Sequence, residues 1–275
     1  MRRGFTLHEM IISLTVMSGV MIIAGHFASR QLSVLRSMTA GQTVRGQLGE
    51  AVAITRALLR NVKPGAGDIL VAQDSVLEVR VTTGIAVACA SAAGVLTIPA
   101  PDTSLTSVSA FSSVPQPGDR IDALFVDSVG IDWVALRVIS TAAEASPCPP
   151  FTTAGSSLIV TIDQPLSIGT MTPLQFSRPF RLSYYRSPDG RWYLGGRDWN
   201  GEEERFNTVQ PLAGPLAPRS GATPGLEFVY RDANGLSLAP PVDAYRLATV
   251  AMVLRGIPAG AQPADSAFAV IAFRP

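Results

Sequence analysis

The chain has 275 residues, a formal net charge of +1 and 47% hydrophobic residues. Its apolar content excludes a wholly disordered polar chain, and its length suits one large or two small domains. The first 63 residues carry eight basic side chains against Glu9 and Glu50, so the remainder is mildly acidic. A mildly acidic body argues against a nucleic-acid-binding surface, and nucleic acid is not expected as a partner.

An almost unbroken apolar run follows the basic N-terminus. It covers residues 10–28, and with residues 5–7 it has about the length that crosses a hydrocarbon core as a helix. Arg2 and Arg3 precede it, which predicts a cytoplasmic N-terminus and an exported remainder. We therefore predict a single-pass protein of the bacterial inner membrane, with a transmembrane helix over 5–28 and a periplasmic head.

Three interpretations of this N-terminal segment compete. A cleaved signal peptide fits poorly, because Glu9 stands at the start of the apolar run and the small residues near Ala24 and Ala28 make weak cleavage sites. A plain signal anchor, holding an envelope binding protein or enzyme, leaves Glu9 without a role and at a cost inside a bilayer. The third interpretation gives Glu9 and its neighbours a function.

The segment 2–10 begins Arg-Arg-Gly-Phe and carries Glu9. It resembles the prepilin leader and cleavage site of type IV pilins and type II secretion pseudopilins. The resemblance implies that a prepilin peptidase cuts after Gly4, that Phe5 is then N-methylated, and that Glu9 acts in assembly. Partners implied by it are the peptidase, other major and minor subunits, and inner-membrane lipid before assembly. A buried carboxylate needs a partner, and the N-terminal amine of a neighbouring subunit would be one.

Beyond the apolar run, the hydrophobic spacing becomes that of an amphipathic helix. Polar residues such as Arg45 and Glu50 separate the apolar ones, and Asn61 with Lys63-Pro64-Gly65 predicts the end. The expected organisation is a leader (1–4), a transmembrane helix (5–28), its amphipathic continuation (29–61) and a β-rich periplasmic head (62–275). This is an α+β, pilin-like fold, in which a long N-terminal helix packs on a β-rich head.

Strand-like alternation and turn signals fill the head. The predicted strands cover residues 69–72, 76–82, 122–126, 133–140, 157–162, 180–186, 192–195, 226–231, 245–254 and 268–273. Segments near 99–118, 142–156 and 210–225 are rich in small, polar or proline residues and are expected to be loops.

The C-terminal part carries a second resemblance. An aromatic hairpin over 180–197 precedes a strand at 226–231 and an Asp-Ala-Asn-Gly turn at 232–235. This order is similar to the larger minor pilins of the PilW type and to the J-type minor pseudopilin. Together the two resemblances imply a minor pilin or minor pseudopilin, a structural subunit that primes or joins assembly of a pilus or secretion pseudopilus.

Cys89 and Cys148 are the two cysteines. In an exported domain they are expected to form a disulfide, and two unpaired buried cysteines are the alternative. Two cysteines are too few for a zinc site without further ligands.

The sequence gives little sign of catalysis. No histidine follows His26, so a histidine-based catalytic site in the head is excluded and no catalytic residue is predicted. Asp198, Asn200 and Glu202 stand around Gly201, and such alternating oxygen ligands can bind calcium. The alternative is a solvated acidic run. No other cofactor is expected.

Overall fold

The computed structural model describes residues 7–100, 108–126, 130–145, 147–149, 156–165, 169–220, 223–257 and 265–273. The chain begins with one long helix, α1, over Leu7–Leu59. A short 3₁₀ helix over Pro64–Ala66 follows, and it ends at Gly67, which adopts a left-handed φ of 79°. Proline at its start and glycine at its end suit this turn, because proline lacks a donor and glycine tolerates positive φ.

The rest of the described chain is dominated by strands. They are β1 (Ile69–Ala72), β2 (Val76–Val87), β3 (Ala90–Ala92), β4 (Val95–Pro99), β5 (Ala110–Phe111), β6 (Arg120–Val126), β7 (Ile131–Glu144), β8 (Ser157–Ile162), β9 (Pro173–Arg186), β10 (Trp192–Asn200), β11 (Arg205–Phe206), β12 (Gln210–Leu216), β13 (Leu226–Arg231), β14 (Ser237–Leu238), β15 (Thr249–Arg255) and β16 (Ser266–Ala272). A second 3₁₀ helix, Ala244–Arg246, precedes β15.

Strand β9 is the centre of the larger sheet, which has twelve strands in the order β1-β2-β9-β6-β7-β8-β4-β3 with β5, β10, β11 and β12 attached. One edge of β9 pairs with β2 along most of its length. The other edge is shared, because β6 pairs with its first part and β10 with its second. The larger sheet therefore divides into two regions at the middle of β9.

The smaller sheet has four antiparallel strands in the order β14-β13-β15-β16. Leu226, Phe228 and Tyr230 on β13 are buried, and so are Val250, Met252 and Leu254 on β15. Their alternation with more exposed neighbours shows that one face of this sheet covers the core and the other faces outward.

Two hydrophobic cores lie in these two regions. The first joins the end of α1, the second half of β9, β10, β12 and the inner face of the smaller sheet, with Leu48, Val52 and Leu59 contributed by the helix. The second joins the far end of β2 with β4, β6, β7, β8 and the start of β9, around Phe176 and Ile98. The helix thus packs against only the first region.

The predicted α+β class is wrong in the relative amounts of helix and strand. Strands hold about twice as many residues as α1, and the described chain is mostly β-sheet. Part of the cause is that strands run past their predicted ends, since β2 continues to Val87 and β9 begins at Pro173. Another part lies in segments that composition marked as loops. β12 lies in the predicted loop 210–225, and β4, β5 and the end of β7 lie within or beside the other two predicted loops.

The predicted transmembrane helix over 5–28 is also corrected. Among the residues described here, no helix combines the length and the apolarity that crossing a bilayer requires. The expected single-pass inner-membrane localisation loses its support with that helix.

Candidate functional site

The residues of the predicted processing site lie mostly outside the described chain. Gly4 and Phe5 precede Leu7 and are not described. Glu9 lies within α1, and its side chain is outside the described set. Their roles in cleavage, methylation and assembly remain predictions.

Two parts of α1 differ in their surroundings. Each described side chain between Met17 and Thr43 is exposed, and these include the apolar Met17, Met21, Phe27 and Leu32 at 53–65% exposure. From Leu48 to Leu59, one side of the helix is buried against the head. We call residues 17–43, whose described side chains are exposed, the exposed part of α1, and residues 48–59 the docked part.

The connector between α1 and β1 is fixed by a buried carboxylate. Asp68 is 5% exposed, and its Oδ2 accepts a hydrogen bond from the backbone N–H of Lys63 at 2.9 Å. Its carbonyl accepts another from the N–H of Arg80 at 2.7 Å. Arg120 adds a third link by donating from Nη1 to the carbonyl of Ala66 at 2.6 Å. We call residues Lys63, Asp68, Arg80 and Arg120 with Asp122 the junction cluster.

Burial decides the electrostatics of the junction cluster. It raises the pKa of Asp68 above its ordinary value, although the Lys63 hydrogen bond and the Arg120 charge oppose the rise. Burial also lowers the pKa of Arg80, and the neighbouring Arg120 charge adds to this. Arg120 lies 2.8 Å from Asp122 and 3.6 Å from Asp68. Arg120 thus lies between two carboxylates of the cluster, which suits a structural link between helix and sheet.

Cys89 and Cys148 are joined by a disulfide with a Cα–Cα distance of 5.5 Å. Both are buried, and the backbone N–H of Cys89 donates to the carbonyl of Thr97 at 2.8 Å. The bond attaches the segment 147–149 to the end of β2, beside β4. It closes a separation of 59 residues, which stabilises a chain by about 3–4 kcal/mol through restriction of the unfolded state.

Of the predicted calcium residues, Asp198 and Asn200 lie at the end of β10, and Glu202 lies in the turn that follows. The Asn200 side-chain oxygen accepts hydrogen bonds from the N–H groups of Glu202 and Glu203 at 3.0 and 3.2 Å. Glu203 pairs with Arg205 at 2.6 Å. Over the described part of the chain, no group of three or more His, Cys, Asp or Glu side chains has an arrangement that could hold a metal ion. A calcium site at Asp198, Asn200 and Glu202 therefore gains no geometric support.

Two arginine–carboxylate pairs on β9 are contacts that sequence patterns did not indicate. Arg178 donates from Nε and Nη2 to the two oxygens of Asp119, each at 2.7 Å, and both side chains are less than 10% exposed. Arg181 pairs with Glu78 directly across the β2–β9 ladder at 2.7 Å. Glu78 lies on β2 and Asp119 lies just before β6, and both are far from β9 in the chain, so only the pairing of β9 with β2 and β6 reveals these partners.

The chain matches no protein-family model, and no curated protein or solved structure is significantly similar to it.

Proposed function

We propose that the chain is a minor pilin or minor pseudopilin, a structural subunit that joins or primes assembly of a type IV pilus or a type II secretion pseudopilus. The observation that carries the proposal is the segment 2–10, whose Gly4, Phe5 and Glu9 stand where a prepilin has its cleavage site, its methylated residue and its assembly carboxylate. A prepilin peptidase would remove residues 1–4.

The exposed part of α1 supports a role in assembly. Large apolar side chains such as Met17, Phe27 and Leu32 are more than half exposed in the single chain. Exposed apolar surface of this kind marks contact with a partner, because burying it is favourable by about 25 cal/mol per Å². Packing of this part against the helices of neighbouring subunits would cover it.

The docked part of α1 supports the same role, because it attaches the head firmly to the helix. Leu48, Ala51 and Leu59 are at most 2% exposed, and the junction cluster holds the connector that follows. A subunit that is held in a filament by its helix needs such an attachment, since otherwise the head would move independently of the filament.

The test is mass spectrometry of the N-terminal peptide, with the chain produced in strains that have or lack prepilin peptidase. We expect a chain that begins at methylated Phe5 only where the peptidase is present. Gly4→Val should keep the leader, because a branched side chain obstructs the close approach of a protease to the backbone. His8→Ala is the matched control and should be processed normally.

Glu9→Gln separates processing from assembly. It keeps the volume of the side chain but removes its charge, so the variant should be cut after Gly4 and yet fail to enter filaments. A chain that retains Arg2 and Arg3 in both strains would overturn the proposal and favour an envelope binding protein or enzyme.

A further inference from the structure

Strand β16 presents an open edge. It lies at the end of the smaller sheet, and within the described ranges no strand pairs with its far side. The N–H of Phe273 donates to Ala248 and that of Gly256 donates to the carbonyl of Asp265. Because bonding alternates along an antiparallel pair, the backbone groups of Phe268, Val270 and Ala272 face the open edge.

This edge lacks the usual protection against pairing. Its seven residues, Ser266–Ala272, include no charge and no proline, whereas free edges are normally blocked by charges, prolines or bulges. Phe268 is 70% exposed and Val270 is 55% exposed. An added strand would bond to the free backbone groups and cover both side chains.

A basic groove runs between this edge and the end of α1. It has a volume of about 620 Å³, and Arg56, Arg60 and Lys63 line its helix side while Val270 and Ala272 line the other. No acidic side chain is among its described lining residues. Within the described chain, neither Arg56 nor Arg60 has a salt-bridge partner.

We propose that β16 and the basic groove bind an extended acidic segment of a partner subunit, which adds to the smaller sheet as a further strand. Successive side chains of a strand point to opposite faces. Acidic residues at every second position would face Arg56 and Arg60, and the apolar residues between them would lie beside Phe268 and Val270. The identity of the partner as a filament subunit rests on the proposed function, whereas the binding surface does not.

The probe is a fluorescent acetylated peptide of alternating valine and glutamate, titrated with the purified full-length chain. Two further peptides carry N-methyl groups on all valines or on all glutamates. A paired strand uses the N–H groups of alternate residues, so one methylated peptide should bind roughly tenfold or more weakly while the other is nearly unaffected. Equal binding of both would overturn strand addition.

Variants of the chain locate the site. Val270→Pro removes an edge N–H without removing a bond to β15, and it should abolish peptide binding. Val270→Thr keeps the N–H and the branched shape, and it should bind as the unchanged chain does. Arg56→Glu with Arg60→Glu should weaken binding roughly tenfold or more. Arg186→Glu with Arg191→Glu, an equal charge change on the exposed tip of the distant β9–β10 hairpin, should not.

Other occupants give different results. Equal binding of a valine–lysine peptide would refute an acidic partner. Self-association of the chain that Val270→Pro removes would show that a second copy fills the edge, and would also overturn the proposal. Peptide binding by a chain that is never cut after Gly4 would support the surface while refuting the proposed function. A chain that is cut after Gly4 but does not bind the peptide would refute the binding surface and leave the proposed function standing.

Discussion

The buried pair of Arg178 and Asp119 gives the most demanding stability prediction. The carboxylate of Asp119 receives both guanidinium bonds and a third from the backbone N–H of Gln116 at 3.0 Å. Arg178 also donates to the Ser113 hydroxyl and to the carbonyl of Val114. The pair thus connects β9 to the turn before β6.

Asp119→Asn removes the negative charge at nearly constant volume. The Arg178 guanidinium, which is 8% exposed, then has no counter-ion. The new amide N–H₂ would also face N–H donors that now bond to the carboxylate. Breaking one side of a buried ion pair costs about 3–5 kcal/mol. Because whole domains have about 5–15 kcal/mol of stability, a loss of this size would be a large fraction of the total.

The double variant Asp119→Leu with Arg178→Met tests the cause. Removing both charges avoids the unpaired guanidinium, so this chain should be more stable than Asp119→Asn by at least about 1 kcal/mol. The assay is urea unfolding followed by tryptophan fluorescence. Glu203→Gln, which breaks an exposed pair, is the control and should leave the midpoint unchanged. A double variant that is no more stable than Asp119→Asn would refute the reasoning.

Three further predictions concern the disulfide, the contrast between Gly201 and Gly49, and the protonation of Asp68. Cys89→Ser opens the disulfide loop and should lower the free energy of unfolding by about 3–4 kcal/mol; no difference from the unchanged chain in urea would contradict this. Gly201→Ala places a Cβ on the carbonyl of Pro117 and should cost about 1–3 kcal/mol in the same assay. Gly49→Ala meets nothing within 4 Å and should stabilise the chain by up to about 1 kcal/mol, so equal effects of the two changes would contradict the packing argument. Burial raises the folded-state pKa of Asp68 above 3.8, so its contribution to stability is fully present below pH 3.8 and is lost as pH rises through the raised pKa. The measurement is urea unfolding of the unchanged chain and of Asp68→Asn at several pH values. The free energy of unfolding of the unchanged chain, relative to that of the variant, should fall as pH rises across this window. An increase would contradict the prediction.

Several strands could be predicted from sequence because their signal is local. The predicted ranges 69–72, 157–162 and 226–231 coincide with β1, β8 and β13. Each is rich in branched or aromatic residues, and the turn after β9 is marked by Gly190, whose φ is 81°. Local propensity and turn chemistry agreed at these places, so one segment of sequence was enough.

β12 shows why other strands were missed. It contains Pro211, Gly214 and Pro215, and such residues indicate a loop. It pairs with β10 through a register that shifts twice. On its other side, the described residues show one isolated bridge, between Leu216 at its end and Gly256. Proline is tolerated there because an edge strand leaves alternate N–H groups unused. Only its position at the edge, which a single sequence does not reveal, makes the strand possible.

The junction cluster was hidden for a different reason. Asp68 and Arg120 are separated by many residues and meet only because β6 joins the larger sheet through β9. Nothing in the neighbourhood of Asp68 in the sequence distinguishes it from a solvated turn aspartate. A contact between distant segments needs the strand order, and that order is set by the packing of the whole head.

The position of α1 connects the two proposals. Its docked part contacts β12 of the larger sheet and β16 of the smaller one, and Arg45 pairs with Asp265 just before β16 at 2.8 Å. Arg56 and Arg60 then line the groove at the other end of the same strand. A partner strand added to β16 would therefore bind to a surface that the helix itself helps to form. Any displacement of the helix would change the groove, so the free energy of partner binding would also favour the docked position of α1.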